Sequence, residues 1–185
     1  MLSWKPIARA SPAEARQAYY KEMAGERGAA FIVAALLELQ EAPVDVCNLF
    51  HGELGGFGLF NEHGMPEKNF YALRAFRGLL DTPRRVETHG AVAGQLALAA
   101  GLNPANTEAS VLISNLAHPQ SEYRLIVSKP PWSGRTVVET RLVDAEHNLG
   151  VISSATNVSS SEIIPLTLKA PAVAWVWWRP TAGTE

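Results

Sequence analysis

The chain has 185 residues, of which 47% are hydrophobic and 18% charged, and its formal net charge is −2. This length suits one large domain or two small ones, and the near-neutral charge argues against a general nucleic-acid binder, which normally has a basic face. No apolar run approaches the roughly 20 residues of a membrane span, and no hydrophobic signal core follows the first five residues. The sequence therefore predicts no membrane partner and indicates no compartment.

Three helices are predicted in the first half of the chain. The first begins at Ser11-Pro12, because serine caps a helix and proline is tolerated at its first position, and it runs to about Met23. The second, residues 29–40, is apolar nearly all the way round, so we expect it to be buried on most sides. The third, residues 67–80, has one apolar and one charged face, which predicts a surface helix.

One buried strand is predicted between the second and third helices, at residues 44–50. Its dense apolar side chains favour a strand covered on both faces, as in a parallel sheet. Cys47, the single cysteine, is then expected to be a small buried hydrophobe without an intrachain disulfide. The loop that follows contains His51 and Glu53, and loops at the carboxyl ends of parallel strands are where α/β folds bind ligands.

From Arg84 onward the pattern changes to short strands separated by turn residues. Eight are predicted, at residues 86–89, 95–99, 109–114, 123–128, 135–142, 149–153, 163–168 and 173–179, and such spacing is typical of an antiparallel β-sandwich. The last strand contains Trp175, Trp177 and Trp178, which we interpret as core residues rather than as a sugar-stacking platform. One face of this strand is expected to fill the sandwich and the other to pack against the helices.

Few residues form a pattern with recognisable chemistry. The glycines after the first strand lack the helix and lysine of a phosphate cradle, and no G-x-S-x-G motif supports a serine hydrolase. The five histidines are scattered singly, without the close ligand pair of a zinc site, so we expect neither a metal nor a cofactor. Glu53 is the single carboxylate of the strand-exit loop, whereas glycoside hydrolysis needs two facing carboxyl groups.

Four segments together resemble the end of the barrel of clan A glycoside hydrolases, nearest to the β-xylosidase-like enzymes of family 39. They are GAAF (28–31), LQEAPVD (39–45), GFGLF (56–60) and GMPEKNFYAL (64–73). The resemblance implies an α/β plus all-β fold, in which residues 1–83 form the terminal helix–strand–helix segment of a (β/α)8 barrel. Residues 84–185 would form the antiparallel β-sandwich domain that follows the barrel in this family.

The same resemblance implies where a substrate would lie. Residues 44–50 would be the eighth barrel strand, and Trp4 would fall in the loop after the seventh. The aromatic wall after strand eight maps onto residues 49–51, which makes Phe50 the substrate-facing residue, with His51, Glu53 and Trp4 as secondary rim contacts. The two catalytic glutamates of the family would both precede Met1, so we expect no catalytic residue in this chain.

Two functions remain open at this point. The first is the C-terminal part of a retaining glycoside hydrolase that acts on β-linked oligo- or polysaccharide, with carbohydrate as ligand and the N-terminal barrel part as partner. The second is a non-catalytic glycan-binding or assembly module, which forms an oligomer through its strand at residues 44–50 and its apolar helix. The resemblance implies a glycoside hydrolase that acts on O-glycosyl bonds, and we expect this chain alone to be inactive.

Overall fold

The computed structural model describes residues 12–49, 51–54, 58–132, 135–157 and 161–181. Three helices come first: α1 (Ala13–Ala24), α2 (Glu26–Leu39) and α3 (Lys68–Arg77), and α3 continues into a 3₁₀ turn, Gly78–Asp81. All three were predicted, although α2 begins earlier than expected because Gly25, with an extended backbone, ends α1 and starts α2 directly. None of the described helices is both long and apolar enough to cross a lipid bilayer.

Eight strands follow the helices and confirm the strand prediction, although β1 lies slightly before the predicted residues 86–89. They are β1 (Arg84–Val86), β2 (Leu96–Leu102), β3 (Ala109–Asn115), β4 (Glu122–Ser128), β5 (Thr136–Val143), β6 (Asn148–Asn157), β7 (Ser161–Thr167) and β8 (Ala172–Pro180). A six-stranded sheet has the order β1-β2-β3-β8-β5-β6, and β4 pairs with β7 in a second sheet. All of these pairings are antiparallel.

The central strands of the six-stranded sheet are buried on both faces, and β8 shows this most clearly. Val176 and Trp178, both 0% exposed, contribute to the core shared with β4 and β7. Val173 and Trp175 alternate with them and contact the core shared with the helices. Because successive residues of a strand point to opposite faces, one strand serves both cores, as the sequence predicted.

Helix α2 packs on the sheet through a face of small residues. Ala29, Ala30 and Val33 are fully buried, and the Ser114 hydroxyl of β3 donates a hydrogen bond of 2.7 Å to the Ala30 carbonyl oxygen. The expectation that α2 is buried on most sides holds for most of its residues, because α1, α3 and the sheet all contact it. The exposed positions of α2 are Arg27, Phe31 and Glu38, and Phe31 is 40% exposed.

The strand predicted at residues 44–50 is not formed by residues 44–49, and Phe50 lies outside the described residues. Val44 and Val46 are 45% and 72% exposed, and Cys47 is exposed rather than buried. A strand needs neighbours to pair its N–H and C=O groups, and the described residues place no other strand beside this segment. The apolar pattern indicated that this segment is able to be buried, but the described residues place no neighbouring strand or helix over it.

Asn115, at the end of β3, joins the two sheets and is fully buried. Its side-chain Nδ2 donates to the Leu168 carbonyl oxygen at 2.8 Å and to the Tyr123 hydroxyl at 3.1 Å, and its Oδ1 accepts the His118 amide at 2.9 Å. Tyr123 belongs to β4, and Leu168 follows β7 directly. Burial also raises the pKa of the Tyr123 hydroxyl above its usual value of 10.0.

The turn between β5 and β6 is connected to the first turn of α3. Lys68 Nζ donates to the carbonyl oxygens of His147 at 3.0 Å and Ala145 at 3.4 Å. Within the turn, partial burial acts to raise the pKa of Asp144, but hydrogen bonds from the His147 side chain and from the His147 and Glu146 amides outweigh it, and the pKa is lowered. The carboxylate is therefore held in the ionised form that accepts these bonds.

Candidate functional site

Two of the four predicted rim residues lie within the described structure. His51 is half-buried and Glu53 is exposed, and the Glu53 amide donates a hydrogen bond of 3.2 Å to His51 Nδ1. Because Nδ1 accepts, the neutral imidazole has its proton on Nε2. Phe50 and Trp4 lie outside the described residues, so their place in the site stays a prediction.

The C-terminal part of this loop is held by contacts with α3 and with the residues just before it. Leu54 forms a parallel bridge with Phe60, and Phe60 forms an antiparallel bridge with Pro66. The Phe60 ring packs against Phe70 of α3, with ring centroids 5.5 Å apart, and the Glu67 amide donates to the Leu59 carbonyl oxygen at 2.9 Å. The segment that contains His51 and Glu53 is thus exposed itself, while its C-terminal end has a packed base.

The described side chains of this loop offer hydrogen-bonding groups. An exposed carboxylate such as Glu53 accepts hydrogen bonds, and an imidazole protonated on Nε2 donates one, which suits sugar hydroxyl groups. Retaining hydrolysis requires two carboxyl groups about 5–5.5 Å apart. Glu53 is the one carboxylate among the described residues of this loop. Among the described residues, no three His, Cys, Asp or Glu side chains are grouped so that they would hold a metal ion.

A groove of about 780 Å³, with many charged residues among its lining, lies on the helical side of the molecule. It is formed by α1, the starts of α2 and α3, and the turn at residues 61–63. The Asn61 side chain stabilises this turn, because its Oδ1 accepts hydrogen bonds from the His63 and Met65 amides, both at 2.9 Å. The sequence did not reveal this groove, because its walls come from separate segments and its charges have no motif spacing. Its charged lining residues are Lys21, Glu22, Glu26, Arg27, Glu62, His63, Glu67 and Lys68.

The tryptophans of β8 form packing contacts instead of an open aromatic platform. Trp178 is fully buried, and the rings of Trp175 and Trp177 stack at 5.6 Å with an interplanar angle of 10°. The guanidinium groups of Arg141 and Arg179 lie over these two rings, 5.7 and 5.2 Å from the centroids. The stacked faces contact each other and arginine. The core interpretation is supported for Trp175 and Trp178, whereas Trp177 belongs to neither core cluster.

Comparison with solved structures finds glycoside hydrolases. A glucosidase from Croceicoccus marinus matches with a TM-score of 0.74 at 18% identity, over 85% of this chain and 42% of its own. A GH39 enzyme from Xanthomonas axonopodis pv. citri matches with a TM-score of 0.65 at 14% identity, over 85% and 41%. A GH30 endoxylanase from Clostridium papyrosolvens matches with a TM-score of 0.59 at 13% identity, over 83% and 38%.

The chain shares its fold with part of these enzymes. It spans about two fifths of the length of each of the three structures. No protein-family model and no curated protein sequence matches the chain. The likeness extends to a GH30 structure as well as to a GH39 structure, so the expected resemblance is supported for the fold of glycoside hydrolases and does not single out family 39.

Proposed function

We propose that this chain is the C-terminal portion of a retaining glycoside hydrolase of clan A, related to family 39, that acts on β-linked oligo- or polysaccharide. The observation that carries the proposal is the shared fold over 85% of the chain with the Croceicoccus glucosidase and the Xanthomonas GH39 enzyme. In this proposal residues 1–83 are the last part of a (β/α)8 barrel and residues 84–185 are its β-sandwich domain. The N-terminal barrel part is the partner that supplies both catalytic glutamates.

The proposed role of this portion is to support the barrel and to form part of the sugar-binding rim. Phe50 and Trp4 would offer aromatic faces to a sugar ring, His51 would donate from Nε2, and Glu53 would accept from a hydroxyl group. The exposure of Val46 at 72% supports this arrangement, because an apolar segment of this kind is suited to pairing with neighbouring barrel strands. Double displacement itself needs two closely spaced carboxylates, which the N-terminal barrel part would supply.

Aryl β-glycoside hydrolysis by the purified chain tests the catalytic part of the proposal. We expect no turnover of aryl β-xyloside or aryl β-glucoside, because a single exposed carboxylate lacks the second group of a retaining pair. Turnover that survives rigorous purification and disappears in the Glu53→Gln variant would contradict the proposal.

Titration with xylotetraose and cellotetraose, followed by NMR chemical shifts, tests the rim. Binding is expected to weaken in His51→Ala and Glu53→Gln. Glu87 and His89 offer a matched control, since they are also two residues apart and exposed, with 3.3 Å between their side chains. If Glu87→Gln and His89→Ala weaken binding equally, the rim assignment of His51 and Glu53 is wrong.

A second function is favoured by one observation, the exposure of Val46 and Phe31. Exposed apolar side chains of this size offer surface for association with a partner. In this alternative the chain is a non-catalytic glycan-binding or assembly module, which oligomerises through residues 44–50 and α2. Sedimentation of the wild type against Val46→Lys distinguishes the two functions, because a defined oligomer that the lysine dissociates supports the module.

A further inference from the structure

Strand β6 is a free edge of the six-stranded sheet. It pairs with β5 on one side and with no described strand on the other. Residues 151–156 are exposed on both faces of the sheet, including Val151 at 49% and Ile152 at 40%. An uncovered edge presents unpaired N–H and C=O groups to any strand of suitable chemistry.

The other described sheet edges have features that oppose strand addition. Exposed Arg84 and Arg85 occupy β1, and exposed Glu122 and Arg124 occupy β4. Strand β7 has Pro165 within it. Charges, proline and β-bulges at edges are common devices that prevent pairing between molecules. The ten residues of β6, NLGVISSATN, contain neither a charged residue nor a proline, and the register irregularities of β6 lie before Ser153 and leave residues 153–157 regularly paired.

A bulge defines which part of β6 is regular. Thr140 of β5 pairs with Ser153 and Arg141 pairs with Val151, so Ile152 is the extra residue. Residues 153–157 then pair with β5 without interruption. The regular stretch is therefore five residues long and is centred on Ala155.

We propose that β6 pairs antiparallel with β6 of a second copy of this chain, about a two-fold axis at Ala155. An uncharged strand is complementary to itself, because no like charges meet when two identical strands run in opposite directions. This axis sets Ala155 opposite its own copy and Ser154 opposite Thr156, and Thr–Ser pairs are favourable across strands. Because the paired stretch is short, the dimer is weak and depends on concentration.

Charge substitution at Ala155 tests the pairing by sedimentation over a range of concentrations. Ala155→Lys and Ala155→Glu each bring like charges together at the axis and are expected to raise the dimer dissociation constant by roughly fivefold or more. An equimolar mixture of the two variants is expected to restore association. The control is Ala117→Lys, which adds the same charge at an exposed turn position outside β6 and is expected to leave the dissociation constant unchanged.

Disulfide cross-linking tests the same pairing without introducing a charge into β6. Directly opposed residues of antiparallel strands have Cα atoms about 4.5–5.5 Å apart, within the range for a disulfide. Ala155→Cys, in a Cys47→Ser background that removes the exposed native thiol, is expected to form a covalent dimer on mild oxidation, whereas Ala117→Cys in the same background stays monomeric.

Three results would overturn the proposal. They are a wild-type chain that stays monomeric at every concentration, a dimer that Ala155→Lys leaves intact, and equal cross-linking at positions 155 and 117. A dimer that Val46→Lys dissociates and Ala155→Lys does not would assign association to residues 44–50 instead. The pairing through β6 is independent of sugar binding, so its failure leaves the proposed function unaffected.

Discussion

At the residue scale, Asn115 concentrates hydrogen bonds at a position closed to solvent. We expect Asn115→Ala to lower the free energy of unfolding by about 3 kcal/mol, because the buried Leu168 carbonyl and the half-buried His118 amide lose their partner. Urea denaturation of the variant and the wild type measures this difference.

Asn103 provides the matched control for Asn115. Its Oδ1 accepts the Thr107 amide at 2.8 Å and the Glu108 amide at 3.1 Å in a turn that water reaches. Water replaces these bonds when the side chain is removed, so Asn103→Ala is expected to cost about 1 kcal/mol or less. Equal losses at the two positions would show that burial of Asn115 does not determine its contribution.

The contacts of single residues are the features that the sequence predicts least well. His51 and Glu53 were selected as neighbours in one loop, and the structure does join them through a hydrogen bond. Asn115 was not selected, because its partners Leu168 and Tyr123 lie on other segments. A polar residue in a strand does not by itself indicate which distant groups it will contact.

At the element scale, Gly28 sets how closely α2 approaches the end of α1. A Cβ atom at this position would overlap the Met23 carbonyl oxygen and lie 3.0 Å from Asn69 Oδ1. Alanine is favoured over glycine inside a helix by about 1 kcal/mol, yet we expect Gly28→Ala to destabilise the protein, because a backbone oxygen cannot rotate away. Thermal unfolding followed by circular dichroism measures whether the melting temperature of Gly28→Ala falls or rises.

Gly150 of β6 is the control for this substitution. It is exposed, and nothing lies within 4 Å of the Cβ position. Gly150→Ala is therefore expected to leave the melting temperature unchanged or to raise it slightly. A stabilising Gly28→Ala would show that the α1–α2 contact adjusts more easily than the geometry indicates.

Helices and strands were predicted well because their periodicity reports the face that each element buries. The eight strands and three helices are present close to their expected positions. Residues 44–49 are the exception, since an apolar run indicates that a segment is able to be buried but not that neighbours exist. The same limit applies to α2, whose apolar surface exceeds what the described elements cover.

At the scale of the whole molecule, helices and sheet share one core. Leu112 of β3, which is 0% exposed, packs in the same cluster as Ala29 and Val33 of α2. We therefore expect helix and sheet to unfold in one cooperative transition. Circular dichroism at the helix band and tryptophan fluorescence, which reports mainly on the strands, should give coincident urea curves.

Leu112→Ala probes this coupling directly. We expect it to lower the free energy of unfolding by about 2–5 kcal/mol and to shift both curves together, whereas Ile126→Ala, at a position 60% exposed, changes stability by less than about 0.5 kcal/mol. Two separated transitions, of which Leu112→Ala moves one, would show that residues 1–83 and 84–185 unfold independently. The division at residue 83 is a prediction that this measurement addresses.

The contact between α2 and α3 has a consequence for the long connection between them. The two helices pack on each other and on the sheet, so both ends of the connection are anchored regardless of what lies between. Doubling the length of such a loop costs only about 0.6 kcal/mol of closure entropy. Insertions among the exposed residues 44–49, which precede the bridge between Leu54 and Phe60, are thus expected to cost this chain little stability.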